Sequence, residues 1–159
     1  MKTLLAAFES TEAAGNAVSG IIAAGIIPAA VEMMDRLTIE AAEAAVHPNF
    51  PEADAVLIVE LDGAAAEVTA LFGLVEQVCT DAGAREIQVA RTEEQRARFW
   101  MGRKAAFAAM GRVSPSYYVQ DAVIPRTKLP EVLGRIRSCL LYTSPRPRDA
   151  TLSRMPSSA

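Results

Sequence analysis

The sequence predicts an α+β domain, an antiparallel sheet with helices on one face. Three observations carry this. Short apolar or alternating stretches, bounded by turn residues, read as strands. Between them, apolar residues recur at helical spacing. Through Arg91 the order is strand, helix, strand, strand, helix, strand, with a small helix inserted before the third strand.

Thr3 to Phe8 reads as the first strand. Ser10 can cap the helix that follows, in which Ala14, Val18, Ile21 and Ile22 recur, and Gly25 sits where a helix C-terminal glycine belongs. Pro28 to Met34 is a second extended run. Asp35 to Val46 reads as a short alanine-rich helix, closed by a turn at Pro48 and Pro51. Ala55 to Leu61 is almost continuously apolar, the pattern of a central strand buried on both faces. Asp62-Gly63 ends it. From Ala64 to Ala82, Val68, Leu71, Phe72, Val75, Val78 and Cys79 mark one helix face, and Gly83 stops that helix. Glu86 to Arg91 alternates, with Ile87 and Val89 inward. Thr92 and Gln95 form a capping box for a helix running through Trp100 and Arg103 to about Met110. This order is the split βαβ, or ferredoxin-like, arrangement. A strand from Tyr117 to Ile124 and a helix from Thr127, with Leu129, Val132, Leu133 and Ile136 as its buried stripe, extend it.

A chain of 159 residues, 51% hydrophobic and 22% charged, suits one domain with a real core. A net charge of −3 predicts no nucleic-acid partner. No apolar run reaches the length of a membrane span, and the N-terminal run is too short for a signal peptide, so a cytoplasmic protein is expected. Cys79 falls on an apolar helix face, and with Cys139 makes no disulfide framework. His47, before Pro48 and Asn49, reads as a loop residue, and no metal site is recognisable.

The segment that carries chemistry is Phe99-Trp100-Met101-Gly102-Arg103-Lys104, followed by Tyr117-Tyr118-Val119-Gln120-Asp121 and Ile124-Pro125. Phe99, Arg103 and Phe107 lie four apart on one helical face, with Trp100 beside them. A partly desolvated guanidinium presents a planar fork that matches a carboxylate in bidentate fashion. The same spacing also suits an ordinary surface arginine whose stem covers aromatic rings. Tyr117 and Tyr118 read as strand aromatics, Asp121 as a turn residue or rim contact, and Lys104 and Arg112 as solvated. Glu60 interrupts an apolar strand and could be paired, but the sequence names no partner.

Together with Leu4-Leu5-Ala6-Ala7-Phe8, Gly25-Ile26-Ile27-Pro28, Glu32-Met33-Met34-Asp35 and Glu60-Leu61-Asp62-Gly63, this segment resembles the glycolate oxidase flavoprotein family of FAD-linked 2-hydroxy acid dehydrogenases over nearly all of residues 2 to 137. The resemblance implies a partial FAD-linked oxidase C-terminal domain, the cap over a flavin held mainly by a separate N-terminal domain. The family's aromatic-Trp-x-x-Arg helix implies that Arg103 holds the substrate carboxylate, with Trp100, Phe107, Tyr118, Val119 and Asp121 as candidate active-site rim. Relatives with a polar residue one turn after the arginine and a lysine in the next strand touch substrate through both. Phe107 and Val119 in those places imply a small substrate such as glycolate or D-lactate. The resemblance further implies hydride transfer from the hydroxyl-bearing carbon to FAD, an iron–sulfur electron-acceptor subunit, and peripheral association with the inner membrane through partners.

The catalytic base and any divalent metal belong, on this resemblance, to a histidine-rich segment beyond position 137, so the chain is expected to be a fragment, inactive by itself. No glycine-rich phosphate loop appears, and cofactor-binding residues are not assigned. Residues 1–138 read as the partial cap. Residues 139–159, rich in serine, proline and arginine, read as a non-native or disordered tail resembling translated adaptor sequence. A stand-alone ferredoxin-like module for small-molecule sensing or subunit association is the alternative, since fold alone does not fix function.

Overall fold

The computed structural model describes residues 1–114, 119 and 121–143. The elements run β1 (Lys2–Phe8), α1 (Thr11–Ala23), β2 (Ala30–Asp35), α2 (Arg36–Val46), β3 (Ala55–Leu61), α3 (Ala65–Asp81), β4 (Ala84–Val89), α4 (Glu93–Val113) and, after a single 3₁₀ turn at Arg126–Lys128, α5 (Leu129–Thr143). Local signals set most of these ends. The Ser10 hydroxyl accepts from the Ala13 N–H at 3.0 Å, and the Asp35 carboxylate accepts from the Thr38 N–H at 3.0 Å. At α4, Thr92 Oγ1 accepts from the Gln95 N–H and Gln95 Oε1 accepts from the Arg91 N–H, one residue upstream of the expected capping box. Gly25 turns the chain out of α1 with φ +75°.

The strands form one antiparallel sheet in the order β2-β3-β1-β4. Lys2 through Phe8 pair with Leu61 through Ala55, and Glu32 lies opposite Ile58. This is the ferredoxin-like order expected from the sequence. The helices are not confined to one face, however. Leu4, Ala6 and Phe8 of β1 and Ala55, Leu57 and Val59 of β3 pack against Ala14, Ala17 and Ile21 of α1 and Val68, Phe72, Val75 and Cys79 of α3. The alternate residues Leu5, Ala7, Val56 and Ile58, with Met34 of β2, pack against Ile39 and Ala42 of α2 and Phe99 and Ala106 of α4. The expected one-faced sheet is thus a three-layered domain. The physical reason lies in β3, buried at every position: a central strand apolar on both sides requires cover on both sides.

Two further expectations are corrected. Val119 and residues 121–125 belong to no strand, and Val123 is fully exposed, whereas Tyr117, Tyr118 and Gln120 lie outside the described residues. Strand-forming side chains alone do not make a strand without a neighbouring edge to pair with. Helix α4 continues past Met110 to Val113, and α5 continues past Ser138 to Thr143, so residues 139–143 are helical. The rest of the predicted tail, 144–159, lies outside the described residues. In α5 the predicted stripe is only partly covered: Leu129, Val132 and Leu133 are half-buried and Ile136 is 48% exposed. Pro130 sits close enough to α1 that a Cβ added at Gly15 would lie 3.4 Å from it.

Candidate functional site

Helix α4 lies across the second face of the sheet and packs tightly against the loop that follows α2. Gly102 faces the loop after α2. A Cβ added there would come within 2.6 Å of Phe50 Cε2 and 2.9 Å of Pro48 Cγ. Phe99, Gly102, Ala106 and Ala109 are buried, so they fix which side of α4 meets the domain. Arg96, Trp100, Arg103 and Phe107 then share the adjoining flank, because positions separated by four, three and four residues stack along a helix. That flank runs beside an end of the sheet where Glu60 pairs in register with Thr3 and with Ala30, and Glu32 pairs with Ile58. The two glutamates therefore project from neighbouring strands on the face that α4 covers.

Each glutamate meets one arginine of α4, and the two pairs differ in kind. Glu60 is closed in on all sides. Its carboxylate accepts from Arg96 Nε at 2.7 Å, Arg96 Nη2 at 3.0 Å, Trp100 Nε1 at 3.0 Å and Thr3 Oγ1 at 2.8 Å. Arg96 also donates through Nη1 to Glu93 at 2.8 Å. The Arg96 hydrogen bonds, outweighing burial and aided by Thr3 and Trp100, hold the Glu60 carboxyl down to about 2, and the same pairing raises the Arg96 guanidinium. Glu60 is 6% exposed and the Arg96 side chain 29%, so this is a partly buried ion pair whose carboxylate is fully hydrogen-bonded.

Arg103 is held more sparingly. Its Nε donates to Glu32 Oε2 at 3.0 Å, and among the described residues neither terminal nitrogen makes a hydrogen bond. The two side chains are 39% and 38% exposed. The guanidinium is thus half-buried and held at one edge, and among the described residues its terminal nitrogens meet no acceptor; two such nitrogens can donate to one carboxylate in parallel.

The predicted aromatic surround of Arg103 is corrected in part. Phe99 is 2% exposed and belongs to the core, Phe107 is 61% exposed, and the guanidinium lying over the Phe99 ring, 5.9 Å from its centroid, is that of Arg98. Helical spacing of four does not keep three residues on one line, since the angle advances by about 40° at each step. Trp100 is half-buried and tied to Glu60, and with Arg96, Ala97, Met101 and Lys104 it lines an open depression that Arg103 does not border. Among the remaining rim candidates, Val119 and Asp121 are exposed, no hydrogen bond or ion pair joins Asp121 to Arg103, and Tyr118 lies outside the described residues. Sequence reasoning missed Glu32 and Arg96 as site residues. A signal for Arg96 was present, since Arg96 and Trp100 stand four apart and so reach one strand side chain together. Arg112 is exposed, as expected, and also donates to the Ala44 carbonyl of α2 at 3.0 Å.

Other candidate chemistry is inert. Burial, aided by the charge of Glu76, pushes the Cys79 thiol up to about 12, leaving it protonated at neutral pH. His47 ends α2 in the left-handed region with φ 50° and is exposed. Among the described residues no three His, Cys, Asp or Glu side chains gather at metal-binding geometry, and no helix is long and apolar enough to cross a membrane.

The sheet order and its two helical layers define an α+β domain of the split βαβ class, with Arg103 of a covering helix half-exposed beside Glu32. The chain belongs to the family of FAD linked oxidases, C-terminal domain, whose model matches residues 1–141. It is 50% identical over 136 residues to glycolate oxidase subunit GlcD of Escherichia coli strain K12, a match spanning 85% of this chain and 27% of that protein. To glycolate oxidase subunit GlcD of Bacillus subtilis strain 168 it is 36% identical over 136 residues, 85% of this chain and 29% of that protein. A probable mitochondrial D-lactate dehydrogenase of Danio rerio is 24% identical over 143 residues, 89% of this chain and 29% of that protein. The chain therefore spans less than a third of the length of these relatives.

Proposed function

We propose that this chain is the carboxylate-binding part of the cap of an FAD-dependent oxidoreductase that converts a small 2-hydroxy acid, of glycolate or D-lactate type, to the 2-oxo acid. One observation carries the reading. Of the two arginines that α4 lays against the sheet, Arg96 is saturated by Glu60 and Glu93, whereas Arg103 is half-exposed and its terminal nitrogens meet no acceptor among the described residues. Family membership and the names of the relatives, a glycolate oxidase subunit and a D-lactate dehydrogenase, supply the substrate class.

In this reading Arg103 receives the substrate carboxylate in bidentate fashion and neutralises it. The rest of a two- or three-carbon acid is then confined to a small arc around a fixed anchor, and that loss of freedom is taken at binding rather than at the chemical step. Phe107 and Val119 offer no polar group to a second carboxylate, which supports a monocarboxylic substrate. Trp100 and Asp121 stand as rim residues, Trp100 fixed in orientation by its bond to Glu60.

The described residues do not fit the pyrophosphate of FAD. Glycine-rich loops cradle phosphate with successive backbone N–H groups. Here the β3–α3 turn has the single glycine Gly63, flanked by Asp62 and with Glu67 in the first helical turn, so this helix N-terminus carries negative charge that disfavours phosphate. FAD binding is accordingly placed in another part of the complete enzyme, and the described residues hold none of the redox step. The fragment by itself is inactive, and in function it joins a flavin-binding domain and, as the subunit naming of its relatives supports, an assembly with other chains.

The test is kinetic. In the complete oxidase, Arg103→Met lowers kcat/KM for glycolate and D-lactate by about 100-fold or more, the scale expected when a charged anchor for a small substrate is lost. An unchanged kcat/KM would remove Arg103 from the substrate site.

A further inference from the structure

The two arginine–glutamate pairs between α4 and the sheet invite a comparison. Glu60 takes Arg96 by Nε and a terminal nitrogen together, the side-on mode, and four donors saturate its carboxylate. Glu32 takes Arg103 by Nε alone. A guanidinium offers a carboxylate two bidentate edges, one made of Nε and a terminal nitrogen, the other made of both terminal nitrogens. Glu32 occupies Nε, so the edge left whole is the end-on one.

We propose that Glu32 is a positioning residue that holds the Arg103 fork so that its two terminal nitrogens receive the substrate carboxylate end-on. The inference rests on the reading of Arg103 as the carboxylate anchor. Glu32 suits the task because it stands on a strand, opposite Ile58 in a hydrogen-bonded register, where its backbone cannot wander. Arg103 stands on a helix whose neighbouring residues Phe99, Gly102 and Ala106 are buried. Two rigid elements thus fix the two ends of one hydrogen bond. A long arginine side chain without that bond samples many rotamers, and the cost of ordering it falls on substrate binding. Glu32 also neutralises the guanidinium before substrate arrives. It therefore makes the anchor weaker but better aimed, a trade suited to an enzyme that must release a product carrying the same carboxylate.

Three variants of the complete oxidase, assayed with glycolate beside Arg103→Met, decide the matter. Positioning predicts that Glu32→Ala lowers kcat/KM by about tenfold or more, a loss that approaches about a hundredfold if the anchor shifts by a full ångström. It predicts that Glu32→Gln, whose amide oxygen still accepts from Nε, stays within about threefold of wild type, and that Glu32→Ala adds little in the Arg103→Met background. If Glu32→Ala does not fold, Glu32→Asp keeps the charge but draws it back by one methylene, and must raise KM. A KM that falls in Glu32→Ala would show that Glu32 competes with substrate, and would overturn the proposal. So would an unchanged kcat/KM with a lowered melting temperature, or equal losses in Glu32→Ala and Glu32→Gln. If Arg103→Met itself keeps full activity, the anchor reading fails first. If Arg103→Met loses activity and the Glu32 variants do not, only the positioning role falls.

Discussion

Arg96 holds Glu60 through two parallel hydrogen bonds, 2.7 Å from Nε and 3.0 Å from Nη2, and this pair fastens α4 to the centre of the sheet. Glu60 sits on β3, so the pair ties the helix that carries Arg103 to a central strand buried along its whole length.

Removing one side of that pair is costly. Glu60→Ala leaves the indole N–H of Trp100 and the hydroxyl of Thr3 without their acceptor, and leaves Arg96 with Glu93 alone. Breaking a fully buried ion pair costs about 3–5 kcal/mol; because the Arg96 side chain is 29% exposed and keeps Glu93, a loss of about 2–3 kcal/mol is expected here. Urea unfolding of the variant against wild type measures it, and a change below about 1 kcal/mol would show the pair to be peripheral.

The same pair sets an acid limit. Glu60 titrates at about 2 in the folded chain against 4.5 for a free glutamate. Because the folded value is the lower one, this group's contribution to stability is complete above pH 4.5 and is lost as the pH falls toward 2. The unfolding free energy of wild type therefore drops more steeply across that window than that of Glu60→Gln. Parallel curves would contradict the assignment.

Gly102 is required for space. Alanine is favoured over glycine in a helix by about 1 kcal/mol, so on propensity alone Gly102→Ala stabilises. The Cβ, however, would run into the Phe50 ring and Pro48. Overpacking of a fitted contact costs about 1–3 kcal/mol, and the clash wins. The expected result is net destabilisation, relieved when Phe50→Leu is added. A stabilised Gly102→Ala would show that α2 and α4 have slack between them.

The purified chain is predicted to be colourless. With acidic residues at the β3–α3 turn and no phosphate cradle among the described residues, it retains no flavin, and its absorbance near 450 nm is that of buffer. A yellow protein with one flavin per chain would place the cofactor site within it.

Much of this architecture was legible in the sequence because it is set locally. The Ser10 and Thr92 caps, the Gly25 exit from α1 and the continuous apolar run of β3 each act through residues a few positions apart, and each appears where the pattern put it. The second helical layer was legible only in part: the apolar run of β3 implied burial on both faces, but nothing local says that α2 and α4 supply the cover. The candidate site was harder still. Arg103 stands out through its motif, yet its partner Glu32 is 71 positions away and that of Arg96, Glu60, is 36. Periodicity also misjudged Phe99 and Phe107. Their spacing of eight puts them roughly 80° apart around a helix, which is enough to send one ring into the core and the other outward.

The measurement that bears most directly on the central claim is a crystal structure of the complete oxidase with a non-oxidisable carboxylate such as oxalate. The account predicts both oxygens of one carboxylate about 2.7–2.9 Å from the two terminal nitrogens of Arg103, with Glu32 still on Nε. A carboxylate held by other residues, with the Arg103 fork facing only water, would contradict it.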